Sequence, residues 1–236
     1  MADAATISVL VLNPNSSASM TNDIEGACEL MRVAPDIRLS FATAPSGAPV
    51  SINGLDDGEV SARAVLDSMH FEQDAVVVAC FSPHPLVRML REASPDVVCV
   101  GIYEAAVQTA VQLGPFGIVT TGAQWEPILH DHLESSAGFD KKRCVGVRGT
   151  GVAVLDLDHG DTTRTALLTS SLELLRAGAE VIVLGCAGMT PLVQQLQKDL
   201  LAAEPWRPGL RSQYVPVVDG VRAAIEIAGN LVRMKT

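Results

Sequence analysis

No stretch of this sequence approaches the roughly 20 consecutive apolar residues that a helix needs to cross a bilayer. The apolar run nearest the start, Ile7 to Leu12, is far shorter, and Met1-Ala-Asp-Ala-Ala5 carries no basic residue, so neither a span nor a secretory leader is expected. There is no Cys-x-x-Cys pair, and the number of cysteines, five, is odd. That argues against a zinc knuckle or a disulfide scaffold. The Gly-x-Gly-x-x-Gly fingerprint is missing, which leaves a dinucleotide pyrophosphate without an obvious seat. Basic charge is also scarce. With 17 Lys and Arg against 27 Asp and Glu, the formal charge of −10 repels phosphate backbones. Low-complexity tracts and long linkers do not occur. The expectation is a cytoplasmic globular chain with no nucleic-acid or membrane partner, no metal and no cofactor.

What is present fits that outline. Of the 236 residues, 48% are hydrophobic and 19% charged, enough to bury a large core and too apolar for disorder. Strands are predicted at Thr6–Leu12, Ile37–Thr43, Ala75–Cys80, Val97–Val100, Phe116–Thr120, Arg143–Val147, Val181–Leu184 and Tyr214–Val218. Several of these, such as Ala75-Val-Val-Val-Ala79, are continuously apolar, as strands covered on both faces of a parallel sheet are. Helical spacing fills the intervals: Ser19–Val33, Asp56–His70, Pro85–Ala93, Glu104–Leu113, Glu126–Ser136, Thr162–Ala177, Thr190–Leu201 and Asp219–Arg233. Gly114-Pro115 and Gly178 mark helix ends. The alternation specifies an α/β fold with doubly wound parallel sheet. An internal echo runs through it: Val-Ala-Cys80-Phe-Ser82 resembles Leu-Gly-Cys186-Ala-Gly188, 106 positions on, as two duplicated halves would.

In parallel α/β sheets, functional groups gather at the carboxyl ends of strands. Four such ends stand out. Asn13-Pro-Asn15-Ser-Ser17 offers amide and hydroxyl donors, unless Ser17 or Ser19 serves only as a helix cap. In Cys80-Phe-Ser82-Pro-His84-Pro-Leu86 a cysteine precedes a helix start, where N–H groups favour the thiolate. Ser82 there either donates to a substrate or caps the helix, and His84 is either a proton-transfer partner or a rigid helix entry. Thr120-Thr121-Gly122 presents two hydroxyls that bind an oxygen or merely make the turn. Leu184-Gly-Cys186-Ala-Gly-Met189 surrounds its cysteine with glycines, which suits exposed N–H groups beside a sulfur and is poor design for a core. Cys28, Cys99 and Cys144, by contrast, read as core or surface thiols, and Trp125 and Trp206 as packing residues.

With these strand ends, together with Gly47-Ala-Pro49-Val-Ser-Ile52 and Val100-Gly-Ile-Tyr103-Glu-Ala-Ala, the chain resembles the aspartate/glutamate/hydantoin racemase superfamily from about Leu10 to Asp219. The match is closest to its hydantoin and allantoin racemase branch, fungal members included. The resemblance implies two pseudo-symmetric α/β subdomains, residues 1–100 with 206–236 and residues 101–205, with the active site in the cleft between them. It implies Cys80 and Cys186 as the catalytic pair, one on each face of a stereocentre, and Asn13, Ser82, Thr120, Thr121, Ala187 and Gly188 as substrate-binding positions. The substrate would be a cyclic ureide or related carbonyl acid. Ala187-Gly188 replaces the Thr-His or Thr-Glu that follows the second cysteine in amino-acid racemases, which disfavours aspartate or glutamate. A maleate-type cis–trans isomerase on the same scaffold and a non-catalytic binding module are the alternative readings. Related enzymes are often homo-oligomers, but no interface is legible in the sequence.

Overall fold

The computed structural model describes residues 6–135, 141–157, 160–203 and 214–235; Met1–Ala5, Trp206 and the expected boundary at 205/206 lie outside them. The chain divides into two units, Met1–Ala105 with Val221–Thr236, and Ala106–Gly220. Each is built around one four-stranded, all-parallel sheet.

The first sheet is formed by β1 (Ile7–Asn13), β2 (Ile37–Thr43), β3 (Ala75–Val78) and β4 (Val98–Gly101), in the order β2-β1-β3-β4. Between them run α1 (Ala18–Glu29), α2 (Leu55–Ser68) and α3 (Pro85–Ala93). Successive residues of β1, Val9 through Leu12, are all buried, so both faces of the strand are covered. That is why it reads as an unbroken apolar run rather than an alternating one. Leu10, Leu12, Val76 and Val78 meet Ala62 and Val65 of α2 and Leu86, Val87 and Leu90 of α3 in one core.

Helix α4 (Ile102–Leu113) carries the chain across the unit boundary. The second sheet follows: β5 (Phe116–Thr120), α5 (Trp125–Ser135), β6 (Cys144–Gly149), α6 (Asp161–Arg176), β7 (Val181–Leu184), a 3₁₀ turn at Ala187–Leu192, α7 (Val193–Ala202) and β8 (Val217–Asp219). Its order, β6-β5-β7-β8, repeats that of the first sheet four strands on. Leu167, Leu174 and Leu175 of α6 and Leu196 and Leu200 of α7 pack with Val119, Ile182 and Leu184 of this sheet. Helix α6 stops at Gly178, whose φ of 112° is a left-handed conformation that a side chain would resist. Helix α8 (Gly220–Lys235) returns to the first unit, where Gly229 lies so near Ile37 that a Cβ would come within 2.6 Å of its Cδ1.

Two expectations differ from what is observed. Residues 217–219 pair with β7 and so belong to the second sheet, whereas the sequence reading assigned 206–236 to the first unit. The single helix expected over Thr190–Leu201 is a 3₁₀ turn followed by α7, because Pro191 supplies no N–H to continue an α-helical ladder through that point. Among the described residues, no helix is long and apolar enough to cross a membrane.

Candidate active site

The ladder of β3 ends at Val78, and one further bond, Ala79 N–H to the Leu12 carbonyl at 2.8 Å, releases the chain into a tight turn. Within it Ser82 N–H donates to the Cys80 carbonyl at 3.0 Å and His84 N–H to the Ser82 carbonyl at 2.7 Å. Cys80 is partly exposed, and the hydroxyl of Ser82 lies 3.3 Å from its sulfur. Ser82 is thus beside the thiol and does not cap α3. That role falls to His84, whose Nδ1 accepts the Leu86 N–H at 3.3 Å, with Pro85 at the first helical position. His84 is 3% exposed, and burial pushes its imidazole down to about 4. The ring is therefore neutral, with the proton on Nε2, which makes no hydrogen bond and packs toward Gly58 of α2. Phe81 completes the turn, edge-on to Tyr103 with ring centroids 5.3 Å apart.

The turn after β7 is built differently. Gly185 N–H donates to the Val119 carbonyl at 2.7 Å, and the Thr120 hydroxyl donates to the Gly185 carbonyl at 3.1 Å. Strands β5 and β7 approach so closely here that a Cβ on Gly185 would lie 2.9 Å from the Val119 carbonyl oxygen. Cys186 follows and opens the 3₁₀ turn, and the N–H groups of Gly188 and Met189 point at its sulfur. Those donors favour the thiolate, yet burial outweighs them and pushes the Cys186 thiol up to about 11. At neutral pH it holds its proton. Ala187 is buried, and Leu157 closes over the glycine: a Cβ on Gly188 would meet Leu157 Cδ1 at 3.0 Å and the Cys186 sulfur at 3.7 Å. The Thr190 hydroxyl, at the far side of the turn, donates to Asp219 Oδ1 at 3.0 Å.

The remaining expected positions sit at the ends of β1 and β5. Asn13 is buried, and its amide nitrogen is held by Asn15 Oδ1 at 2.8 Å, the Ser17 carbonyl at 3.0 Å and Thr21 Oγ1 at 3.1 Å. Its oxygen accepts the Asn15 N–H at 3.2 Å. It knits its own loop, while Ser17 caps α1. Thr121 is buried, and its carbonyl accepts Gly151 N–H at 2.9 Å and the Thr150 hydroxyl at 3.3 Å. Cys28 and Cys99 are buried and Cys144 is partly so; burial pushes the Cys99 thiol up to about 12 and that of Cys144 up to about 11. Among the described residues no three His, Cys, Asp or Glu side chains are grouped to hold a metal ion.

Three side chains near these turns were not singled out from sequence: Glu104, Thr190 and Asp219. A carboxylate directly after a continuously apolar strand, as in Val217-Val-Asp219, was the available signal. Glu104 lies against Gly101 at the end of β4, with Oε2 unbonded, and burial raises its carboxyl.

A model of the family described as Asp/Glu/hydantoin racemase matches residues 9–228. A hydantoin racemase of Rhizobium meliloti is 36% identical over 228 residues, covering 94% of this chain and 87% of that protein. An uncharacterized protein of Schizosaccharomyces pombe is 35% identical over 237 residues, covering 97% and 93%. Among solved structures, an allantoin racemase from Pseudomonas fluorescens aligns with a TM-score of 0.79 at 33% identity, covering 97% of this chain and 92% of that one. With the family model spanning almost its whole length and the paired parallel sheets of its structural neighbours, the chain belongs to the Asp/Glu/hydantoin racemase family and is a racemase-type isomerase.

Proposed function

We propose that this enzyme inverts the C5 stereocentre of a 5-substituted hydantoin or of allantoin, with Cys80 and Cys186 serving in turn as base and acid. One observation carries the reading: the two thiols occupy equivalent strand ends, after β3 and after β7, and each sulfur has hydrogen-bonding partners, the Ser82 hydroxyl in one case and the Gly188 and Met189 N–H groups in the other. In the resting enzyme Cys186 is the thiol, raised by burial to about 11. The Cys80 thiolate takes the C5 proton, leaving a carbanion delocalised as an enolate onto the adjacent carbonyl. Cys186 then delivers its proton to the opposite face. The products are the other enantiomer, a Cys80 thiol and a Cys186 thiolate, and the reverse passage restores the start.

A donor aimed at the enolate oxygen lowers the barrier by about 3 kcal/mol where it is well placed. The Thr121 hydroxyl and the Ala187 N–H take that role, and Gly188 keeps the turn slim enough to admit substrate. Asn13 and Thr120 act through the turns they tie together. On this reading the enzyme works in the cytoplasm, where reducing conditions keep both cysteines as thiols.

D- and L-forms of 5-substituted hydantoins, allantoin, aspartate and glutamate, together with maleate, are to be offered in D2O. Loss of optical rotation with deuterium uptake is expected for a cyclic ureide. Isomerised maleate, or racemised aspartate or glutamate without ureide turnover, overturns the substrate assignment. Cys80→Ser and Cys186→Ser are each expected to lower racemisation by at least about 10²-fold, the lower end of what one acid–base group contributes. Each single variant should still exchange the proton of one enantiomer. Near-normal racemisation by the double variant would end the two-thiol reading.

A further inference from the structure

The two sheets are threaded alike, yet their fourth strands end differently. Val78, two residues before Cys80, lies opposite Gly101 of β4; Leu184, two residues before Cys186, lies opposite Asp219 of β8. Gly101 offers no side chain, and the Glu104 carboxyl folds back into the space a Cβ would fill, leaving Oε2 without a hydrogen bond. In the second unit the carboxyl comes from the strand itself. Asp219, 8% exposed, accepts the hydroxyl of Thr190, 5% exposed, at 3.0 Å. A hydroxyl donating to a carboxylate away from water is among the stronger protein hydrogen bonds.

Thr190 shares its 3₁₀ turn with Gly188 and Met189, whose N–H groups face the Cys186 sulfur. Pro191 leaves that turn one donor short. Its bonds at the two ends are Met189 N–H to the Cys186 carbonyl at 3.0 Å and Val193 N–H to the Thr190 carbonyl. Because β8 runs beside β7 in fixed register, a bond from its last residue to Thr190 ties the turn to the sheet.

We propose that Asp219 and Thr190 are a positioning pair for Cys186: their bond anchors the 3₁₀ turn so that the Gly188 and Met189 N–H groups stay on the sulfur and receive the thiolate as it forms. The catalytic consequence rests on the two-thiol reading above; the effect on the thiol itself does not. Cutting the bond frees the turn, and burial then acts on Cys186 with less opposition.

The test follows alkylation of Cys186 by iodoacetamide between about pH 7 and 10.5, where thiols titrate, resolved at this residue by peptide mass spectrometry. Thr190→Val keeps the shape and removes the hydroxyl; Asp219→Ala removes the acceptor; Thr190→Ser retains the bond. Both removals are expected to slow Cys186 alkylation about tenfold at a given pH, a shift of about one unit in its profile. The Thr190→Ser profile should overlay the wild type, and Cys80 alkylation should be unchanged throughout. An unmoved Cys186 profile in Thr190→Val, even with a lowered melting temperature, overturns the proposal, since the pair would then be merely structural. A faster reaction in Asp219→Ala also overturns it, because charge rather than placement would be the link. Failure of the wild type to turn over any cyclic ureide would instead count against the proposed substrate, and the alkylation comparison would stand unaffected.

Discussion

Hydrogen bonding and burial act together on single residues of both cysteine turns. At Cys186, N–H donors favour the thiolate and burial favours the thiol, and burial prevails. At His84, capping needs a bare Nδ1 to accept the Leu86 N–H, and burial keeps the imidazole neutral, so the two requirements agree. That agreement sets a pH dependence. The His84 pKa is held near 4 in the folded chain against 6.5 when free, so the unfolded chain binds the extra proton between those values. The stability from His84 is complete above about pH 6.5, falls as pH drops toward 4 and then levels off. The loss amounts to about 3 kcal/mol at 1.36 kcal/mol per unit. Glu104, whose carboxyl is raised by burial, works the other way over part of this range, so the effect is read as a difference. His84→Asn keeps a capping acceptor without titrating. Urea midpoints at a series of pH values should show the wild type losing ground to this variant as pH falls from 7 to 4. Parallel curves would contradict the assignment.

At the scale of elements, the turns matter more than the helices and strands they join. Thr120 and Gly185 bind the end of β5 to the end of β7 through two bonds, Gly185 N–H to Val119 and Thr120 Oγ to the Gly185 carbonyl. The glycine is required by proximity: its Cβ would press on the Val119 carbonyl oxygen and on Ile118 and Thr120 side-chain atoms at 2.9–3.0 Å. Backbone cannot yield as a flexible side chain would. Gly185→Ala is therefore expected to cost about 1–3 kcal/mol, the range for overpacking a close-packed site. Chemical denaturation measures that cost; a change below about 0.5 kcal/mol, the scatter of surface substitutions, would show that the strands can part. Most element positions were legible because most strands are short apolar runs, while β2 alternates through Arg38 and Ser40. The 3₁₀ turn at Ala187–Leu192 was not. Its helical spacing is genuine, but Pro191 breaks the ladder that the spacing suggests.

Over the whole molecule the strand order β2-β1-β3-β4 returns as β6-β5-β7-β8, which gives the sequence echo around Cys80 and Cys186 a structural counterpart. Inner strands β1, β3, β5 and β7 are hydrogen-bonded on both sides, and their backbones open only when a sheet comes apart. Amide hydrogen exchange should therefore be slowest in those four strands and faster in the edge strands β2, β4, β6 and β8. Equal protection of edge and inner strands would indicate that the edges are covered in solution, as in an oligomer.

The α/β class, most strand and helix positions and the strand-end setting of Cys80 and Cys186 are legible in the residues themselves. These follow from local chemistry: apolar periodicity, glycine and proline at element ends, and the small polar residues that flank a strand-end thiol. What each polar group near those thiols is bonded to emerges with the fold. Ser82 lies at the sulfur while His84 caps the helix, Asn13 ties its own loop, and Asp219 reaches Thr190 from 29 positions away. The reason is physical. Hydrogen-bond partners and desolvation are set by strand register and packing between segments distant in sequence, and no local pattern carries that information.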